Sequence, residues 1–217
     1  MNVIVTGIRT RLAQAILALE QTREHRIGSA ARDPAEAEWA AARYPEAAIM
    51  KAWEPLDGFF LTPEPVIVFC CAMGLIHPVL PDMEQDAEVA KRDLKKMEAL
   101  LNRCEHRPVH LIFVSSVIAL MPGKRHFYYQ GWKCILESAL ESLVSGFPRV
   151  KLTVLYPGRL VEGGSFLHTR YQGMASKMWQ IGVSLKAVRR IIGVDARLWI
   201  LAKGPYSWLR DLIGYPA

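Results

Sequence analysis

"NVIVTGIRTRLAQAILALEQ", residues 2–21, carries two different periodicities in succession. Residues 2–7 are a short, mostly apolar run rich in β-branched side chains, the pattern of a strand covered on both faces. From Thr10 the apolar residues Leu12, Ile16 and Leu19 recur at helical spacing, which predicts a helix over 10–21. Gly7 stands at the junction, where a residue without Cβ lets the backbone turn tightly. A strand that hands over to a helix through a glycine turn aims the start of that helix at whatever binds above the sheet, and a pyrophosphate suits that position.

Units of the same kind follow along the chain. "HRIGSAAR" (25–32) reads as a second strand and "DPAEAEWAAAR" (33–43) as a helix with Pro34 in its first turn. "AAIMKAW" (47–53), "PVIVFCCA" (65–72), "VHLIFVSS" (109–116), "KLTVLYPG" (151–158) and "ARLWILAKG" (196–204) are further strands. Helices are expected over 82–105, where Val89, Leu94, Met97 and Leu101 lie near one face, and over 176–192. Another begins within "HFYYQGWKCILESAL" (126–140) and runs to about Ser145. This alternation predicts the α/β class: a Rossmann-like, doubly wound, mostly parallel sheet of about seven strands flanked by helices, with right-handed crossovers. With 217 residues, 51% of them hydrophobic and 22% charged, the chain suits one domain over 1–217, residues 176–217 forming a C-terminal substrate-side or docking segment.

The net charge of +6 favours anionic ligands. The basic residues are scattered, with neither a stripe nor an aromatic stacking platform, so nucleic acid is not an expected partner. Cys70, Cys71, Cys104 and Cys134 form no CxxC pair, which predicts no metal site and no disulfide framework, and a reducing cytoplasm as the location. "MNVIVTG" enters a strand pattern without the basic and apolar regions of a signal peptide, and no run approaches the roughly 18 apolar residues of a membrane span. Near the end, Trp199, Trp208, Leu209 and Ile213 accompany Lys186, Arg189 and Arg190. Two readings stay open for this segment: docking onto the sheet or a second subunit, or peripheral contact with a membrane surface.

Open α/β sheets bind ligands at the carboxyl ends of their strands, so the residues that follow each apolar run are the candidates. After the first strand come Gly7, Arg9, Thr10, Arg11 and Leu12. Only Gly7 remains of the three-glycine dinucleotide fingerprint, with Ala13 at the third position and Thr10 or Arg11 at the middle one. Arg32 follows the second strand with no acid before it, which suits a ribose 2′-phosphate better than a free 2′-hydroxyl. Arg9 and Arg11 are expected to converge on the same corner, favouring NADP(H) over NAD(H). Ser115 and Ser116 follow the fifth strand, and Pro157 and Gly158 the sixth. Tyr129 lies 13 positions after Ser116 and has Lys133 one helical turn beyond it. A phenol with its ordinary pKa near 10 is a poor base at neutral pH, and a neighbouring ammonium would lower that value.

Five of these segments resemble, in order and spacing, the short-chain dehydrogenases/reductases: "VTGIRTRLA", "VFCCAMG", "FVSSVIAL", "YYQGWK" and "LYPGRL". An isolated Tyr-x-x-x-Lys is common, and the ordered set of five gives the match its specificity. The resemblance implies that Tyr129 gives a proton to a substrate carbonyl or takes one from an alcohol. It implies that Ser116 orients the substrate oxygen and that Lys133 also holds the nicotinamide ribose. By the same resemblance Gly7, Arg9, Thr10, Arg11, Leu12, Arg32, Cys71, Ala72, Tyr129, Lys133, Pro157 and Gly158 bind the cofactor.

The activity so implied is NADP(H)-dependent reduction of a small ketone or oxidation of a secondary alcohol, in a homo-oligomer paired through helices 82–104 and 129–145. The alternative is a non-catalytic NADP-binding sensor or scaffold of the same fold. Besides the depleted glycine loop, this chain departs from the family pattern in two places. Cys70-Cys71-Ala72-Met73 stands where Asn-Asn-Ala-Gly is usual, and the family's helix asparagine has no counterpart, Asp93 being the nearest residue. His126, Phe127, Tyr128, His77, Arg159 and His168 are further candidates for the substrate cleft. Only about 59 residues follow Gly158, leaving little room for an added domain and favouring a small or open substrate site.

Overall fold

A computed structural model describes residues 1–31, 33–51, 63–73, 82–104, 106–120, 127–158, 160–163, 169–184 and 190–192. Strands β1 (Asn2–Thr6), β2 (Arg26–Ala31), β3 (Ala48–Lys51), β4 (Val66–Cys70), β5 (Val109–Val114), β6 (Val150–Tyr156) and β9 (Arg190–Ile192) form one sheet. Its order is β3-β2-β1-β4-β5-β6-β9, and every pairing is parallel. The order reverses between β1 and β4, the switch point at which such sheets bind ligands. The helices are α1 (Arg11–Leu17), α2 (Pro34–Arg43), α3 (Met83–Arg103), α4 (Phe127–Ser145) and α5 (Tyr171–Ser184). A small separate ribbon pairs β7 (Leu160–Val161) with β8 (Thr169–Arg170), too short to leave a periodic signal in the sequence.

The central strands are mostly apolar because successive side chains enter two different cores. On one face Ile4, Val68, Leu111, Phe113 and Val154 meet Met97, Leu100 and Leu101 of α3 and Leu136 and Leu140 of α4. On the other, Val3, Val5, Ile67, Phe69, Ile112 and Leu155 meet Leu12 and Ile16 of α1 and Met174, Met178 and Trp179 of α5. The pairings Thr6↔Cys70, Cys70↔Phe113 and Val114↔Leu155 bring the carboxyl ends of β1, β4, β5 and β6 to one edge. Gly7, Cys71, Ser115 and Pro157 therefore emerge side by side.

Side-chain caps fix where three helices start. Thr10 accepts from the Ala13 N–H at 3.2 Å, Asp33 from Glu36 at 2.8 Å and Asp82 from Gln85 at 3.0 Å.

Two helices differ from their sequence expectation. The helix expected to Gln21 stops at Leu17, and Glu20–Glu24 form a 3₁₀ turn. The Thr22 hydroxyl closes that bend by donating to the Leu19 carbonyl at 2.5 Å, while Leu19 itself is buried. The helix expected over 176–192 runs instead from Tyr171 to Ser184, and residues 190–192 pair with β6 as β9. The open edge of β6 supplies backbone partners that a continued helix would leave unused. The strand expected at 196–204 lies outside the described residues. Among the described residues no helix is long and apolar enough to cross a membrane.

Candidate active site

Gly7 makes the first turn of the site with a φ of 68°, and the Thr10 N–H closes that turn on the Gly7 carbonyl at 2.8 Å. A Cβ at Gly7 would lie 2.5 Å from the Cβ of Ala72 and 2.9 Å from its nitrogen. The Thr6 hydroxyl donates to the Ala72 carbonyl at 3.3 Å. The loops after β1 and β4 are thus pressed together, which only glycine permits in this conformation. Leu12, expected among the cofactor residues, is buried in the core beneath the loop, so its side chain belongs to packing.

The arginines of this loop do not converge as expected. Arg9 is half-exposed, its guanidinium 5.6 Å from the Trp39 ring centroid and 3.9 Å from the buried Glu36 carboxylate, both on α2. Arg11 reaches Glu162 after β7 at 3.2 Å. Different elements hold the two side chains, and only Arg9 faces the helix that follows β2. Arg32, His77, His126, Arg159 and His168 lie outside the described residues.

Cys70 is fully buried, and burial pushes its thiol up to about 12. Burial also raises the pKa of half-buried Cys71 well above the ordinary thiol value. Both are held as neutral thiols.

At the end of β5, Ser115 is buried and Ser116 half-buried. The Ser116 Oγ accepts from the Ile118 N–H at 3.3 Å and lies near enough to the Tyr129 side chain to act on its pKa. Lys133 places its ammonium 5.6 Å from the Tyr129 ring centroid and 5.4 Å from that of Phe113. Ser116, Tyr129 and Lys133 are therefore gathered in one place. The Val117 N–H donates to the Pro157 carbonyl at 3.0 Å, which ties the serine turn to the turn after β6.

The electrostatics of the pair differ from the expectation. Burial raises the Tyr129 pKa, a shift that nearby Ser116 only partly offsets. Burial also lowers the Lys133 pKa, against the opposing influence of Cys70 and Glu137. Desolvation, absent from a linear spacing, outweighs the effect expected of a neighbouring ammonium on the phenol. Tyr129 is a protonated phenol at neutral pH.

The neighbours Tyr128 and Phe127 turn away from this cluster. The Tyr128 hydroxyl donates to buried Asp86 of α3 at 2.6 Å and its ring meets Trp132 edge-on, while Phe127 is 77% exposed. Asp93 lies 3.8 Å from Arg92 and acts electrostatically on Cys70.

Two residues at the site, Glu137 and Tyr156, were missed by the sequence reading. Glu137 is buried and accepts hydrogen bonds from Ser115 and, at 2.6 Å, from Tyr156. The available signal was its position one turn beyond Lys133 on α4, a spacing that solvated ion pairs share.

No protein-family model matches this chain, and no curated protein matches it in sequence. Solved structures do match. A serine dehydrogenase from Escherichia coli superposes with a TM-score of 0.67 at 14% identity, covering 89% of this chain and 97% of that one. A short-chain dehydrogenase/reductase from Vibrio parahaemolyticus gives 0.62 at 16% identity, with 88% and 98% covered. An alcohol dehydrogenase from the archaeon Thermococcus sibiricus, complexed with 5-hydroxy-NADP, gives 0.63 at 12% identity, with 88% and 95% covered. The parallel sheet, its switch point between β1 and β4 and these superpositions together give the chain the short-chain dehydrogenase/reductase fold.

Proposed function

We propose that this protein is an oxidoreductase of the short-chain dehydrogenase/reductase kind that uses NADP(H) to interconvert a small ketone and a secondary alcohol. The observation that carries the reading is the gathering of Ser116, Tyr129 and Lys133 on the strand edge that also bears the Gly7 turn. The phenol of Tyr129, kept protonated by burial, gives its proton to the carbonyl oxygen during reduction and takes one back in the reverse direction. The hydroxyl of Ser116, close by Tyr129, orients that oxygen. The ammonium of Lys133 stabilises negative charge as it develops on the phenol oxygen and can hydrogen-bond a ribose.

NADP(H), when bound, supplies or accepts the hydride. Gly7, Arg9, Thr10, Arg11, Arg32, Cys71, Ala72, Pro157 and Gly158 would hold it. The donor chemistry fits a phosphate-bearing dinucleotide, since the loop after β1 carries two guanidiniums. The Asp33 carboxylate just beyond β2 is engaged in capping α2. The 5-hydroxy-NADP in the Thermococcus sibiricus enzyme supports the same choice. Homodimerisation through α3 and α4 goes with this reading, and Phe127 and Ile135 leave 77% and 55% of their surface exposed on α4. A cytoplasmic location goes with it too, as do the four free cysteines.

One observation favours the second reading, a non-catalytic NADP-binding sensor or scaffold. Thr10 or Arg11 stands where the family pattern has its middle glycine, and Arg11, paired with Glu162, opens α1. Tryptophan fluorescence titration with NADPH, followed by a ketone screen read by NADPH absorbance, separates the two. Binding with no turnover of any carbonyl selects the sensor. For the enzyme, Tyr129→Phe is expected to lower kcat by about 10²–10⁴-fold with cofactor affinity retained. Because the Tyr129 pKa is raised, reduction should hold through neutral pH and fade only above the ordinary tyrosine range, while oxidation gains as the pH rises. Unchanged turnover in Tyr129→Phe would remove that residue from the chemistry.

A further inference from the structure

The proton-transfer steps leave one buried carboxylate unused. Glu137 is 7% exposed and sits one turn beyond Lys133 on α4. The Ser115 hydroxyl donates to its Oε1, and the Tyr156 hydroxyl donates to its Oε2 at 2.6 Å. Both carboxylate oxygens thus act as acceptors, from one donor just after β5 and one at the end of β6. A carboxylate is costly to bury unless hydrogen bonds and an opposite charge compensate it. Here the two hydroxyls supply the bonds and Lys133 the charge.

We propose that Glu137 is a positioning residue for the Tyr129–Lys133 pair, clamping the ends of β5 and β6 to α4 and holding Lys133 as an ammonium. The inference rests on the reading of Tyr129 and Lys133 as the proton-transfer pair. Through Ser115 the clamp fixes the backbone that presents Ser116. Through Tyr156 it fixes the backbone entering Pro157-Gly158, and the Val117–Pro157 bond at 3.0 Å closes the same junction. Among the described residues, the groups around Lys133 leave little else to retain its proton. Phe113 of β5 offers only a ring, Tyr129 on the same helix is a phenol, and Cys70 of β4 is a neutral thiol. Tyr156 of β6 spends its hydroxyl on Glu137, and Asp93 of α3 acts on Cys70. Glu137 is the carboxylate that counters the burial of Lys133.

The test is a titration of the full chain carrying ¹³C-ε-lysine, with the Lys133 resonance assigned by Lys133→Arg. In Glu137→Gln the Lys133 midpoint should fall by about one pH unit or more, while in Tyr156→Phe, which keeps the charge, it should stay in place. In parallel, kcat for ketone reduction by Glu137→Gln should fall about tenfold at neutral pH with KM unchanged. An identical Lys133 midpoint in wild type and Glu137→Gln overturns the proposal. Should Glu137→Gln not fold, the Ser115→Ala, Tyr156→Phe double variant tests the clamp alone. A kcat lowered about tenfold at an unchanged Lys133 midpoint upholds it, and an unchanged kcat overturns it. A midpoint shift in a protein that turns over no carbonyl upholds the clamp and overturns the oxidoreductase reading instead.

Discussion

Gly7 shows how one residue serves both fold and site. Its φ of 68° turns the chain out of β1, and the absent Cβ makes room for Ala72. Gly7→Ala should therefore cost about 1–3 kcal/mol of stability, measured by urea unfolding, and should weaken NADPH binding. At the same scale, Ser116, Tyr129 and Lys133 were legible in the sequence because helical and strand-end spacings are local geometry. Their protonation was not legible. Burial raises one pKa and lowers the other, and burial depends on residues that are distant in the chain, such as Phe113 and Cys70. Glu137 was hidden for a related reason: the same i, i+4 spacing describes an exposed ion pair, and only the arrival of Ser115 and Tyr156 makes this one a buried acceptor.

Among the elements, α5 departs most from its sequence pattern and approaches the sheet closely at Gly182. A Cβ at Gly182 would lie 2.9 Å from Ile67 Cγ2, 3.2 Å from Phe69 Cζ and 3.3 Å from Ile112 Cδ1. The first of these is a stiff β-branched methyl on a central strand, so the contact cannot relax cheaply. Gly182→Val should lower stability by about 1–3 kcal/mol, each kcal/mol lowering Tm by about 2–4 °C in a scanning calorimeter. A valine variant as stable as wild type would show that α5 can lift from the sheet without loss. The boundaries of α1 and α5 were misplaced in the sequence because bonds that periodicity does not show end them: the local bond of the Thr22 hydroxyl to Leu19 for α1, and the edge of β6 for the segment after α5.

For the molecule as a whole, two histidines, His110 buried and His25 half-buried, set an acid limit. His110 is fully buried in β5, its Nε2 2.8 Å from the Thr153 hydroxyl, and burial holds its pKa below the ordinary 6.5. His25, stacked on Trp179, is lowered in the same way. As the pH falls below 6.5 the unfolded chain binds these protons first, so it holds more of them than the folded chain and stability falls until the folded values are reached. Urea unfolding should give a smaller unfolding free energy at pH 5.5 than at pH 7.5, with a shallower decline in His110→Gln. An equal decline in both proteins would remove His110 from the acid limit.

By itself the sequence determined the α/β class, the turn at Gly7 and the candidate Ser116, Tyr129 and Lys133, since strand runs, helical spacing and strand-end residues are properties of short stretches of chain. Only the tertiary structure decided that Arg9 and Arg11 part company, that Tyr128 turns to Asp86, and that Glu137 closes on Ser115 and Tyr156. These outcomes depend on which strands lie side by side and on what that neighbourhood withholds from water. Desolvation and cross-strand hydrogen bonds arise between segments that the linear order keeps far apart.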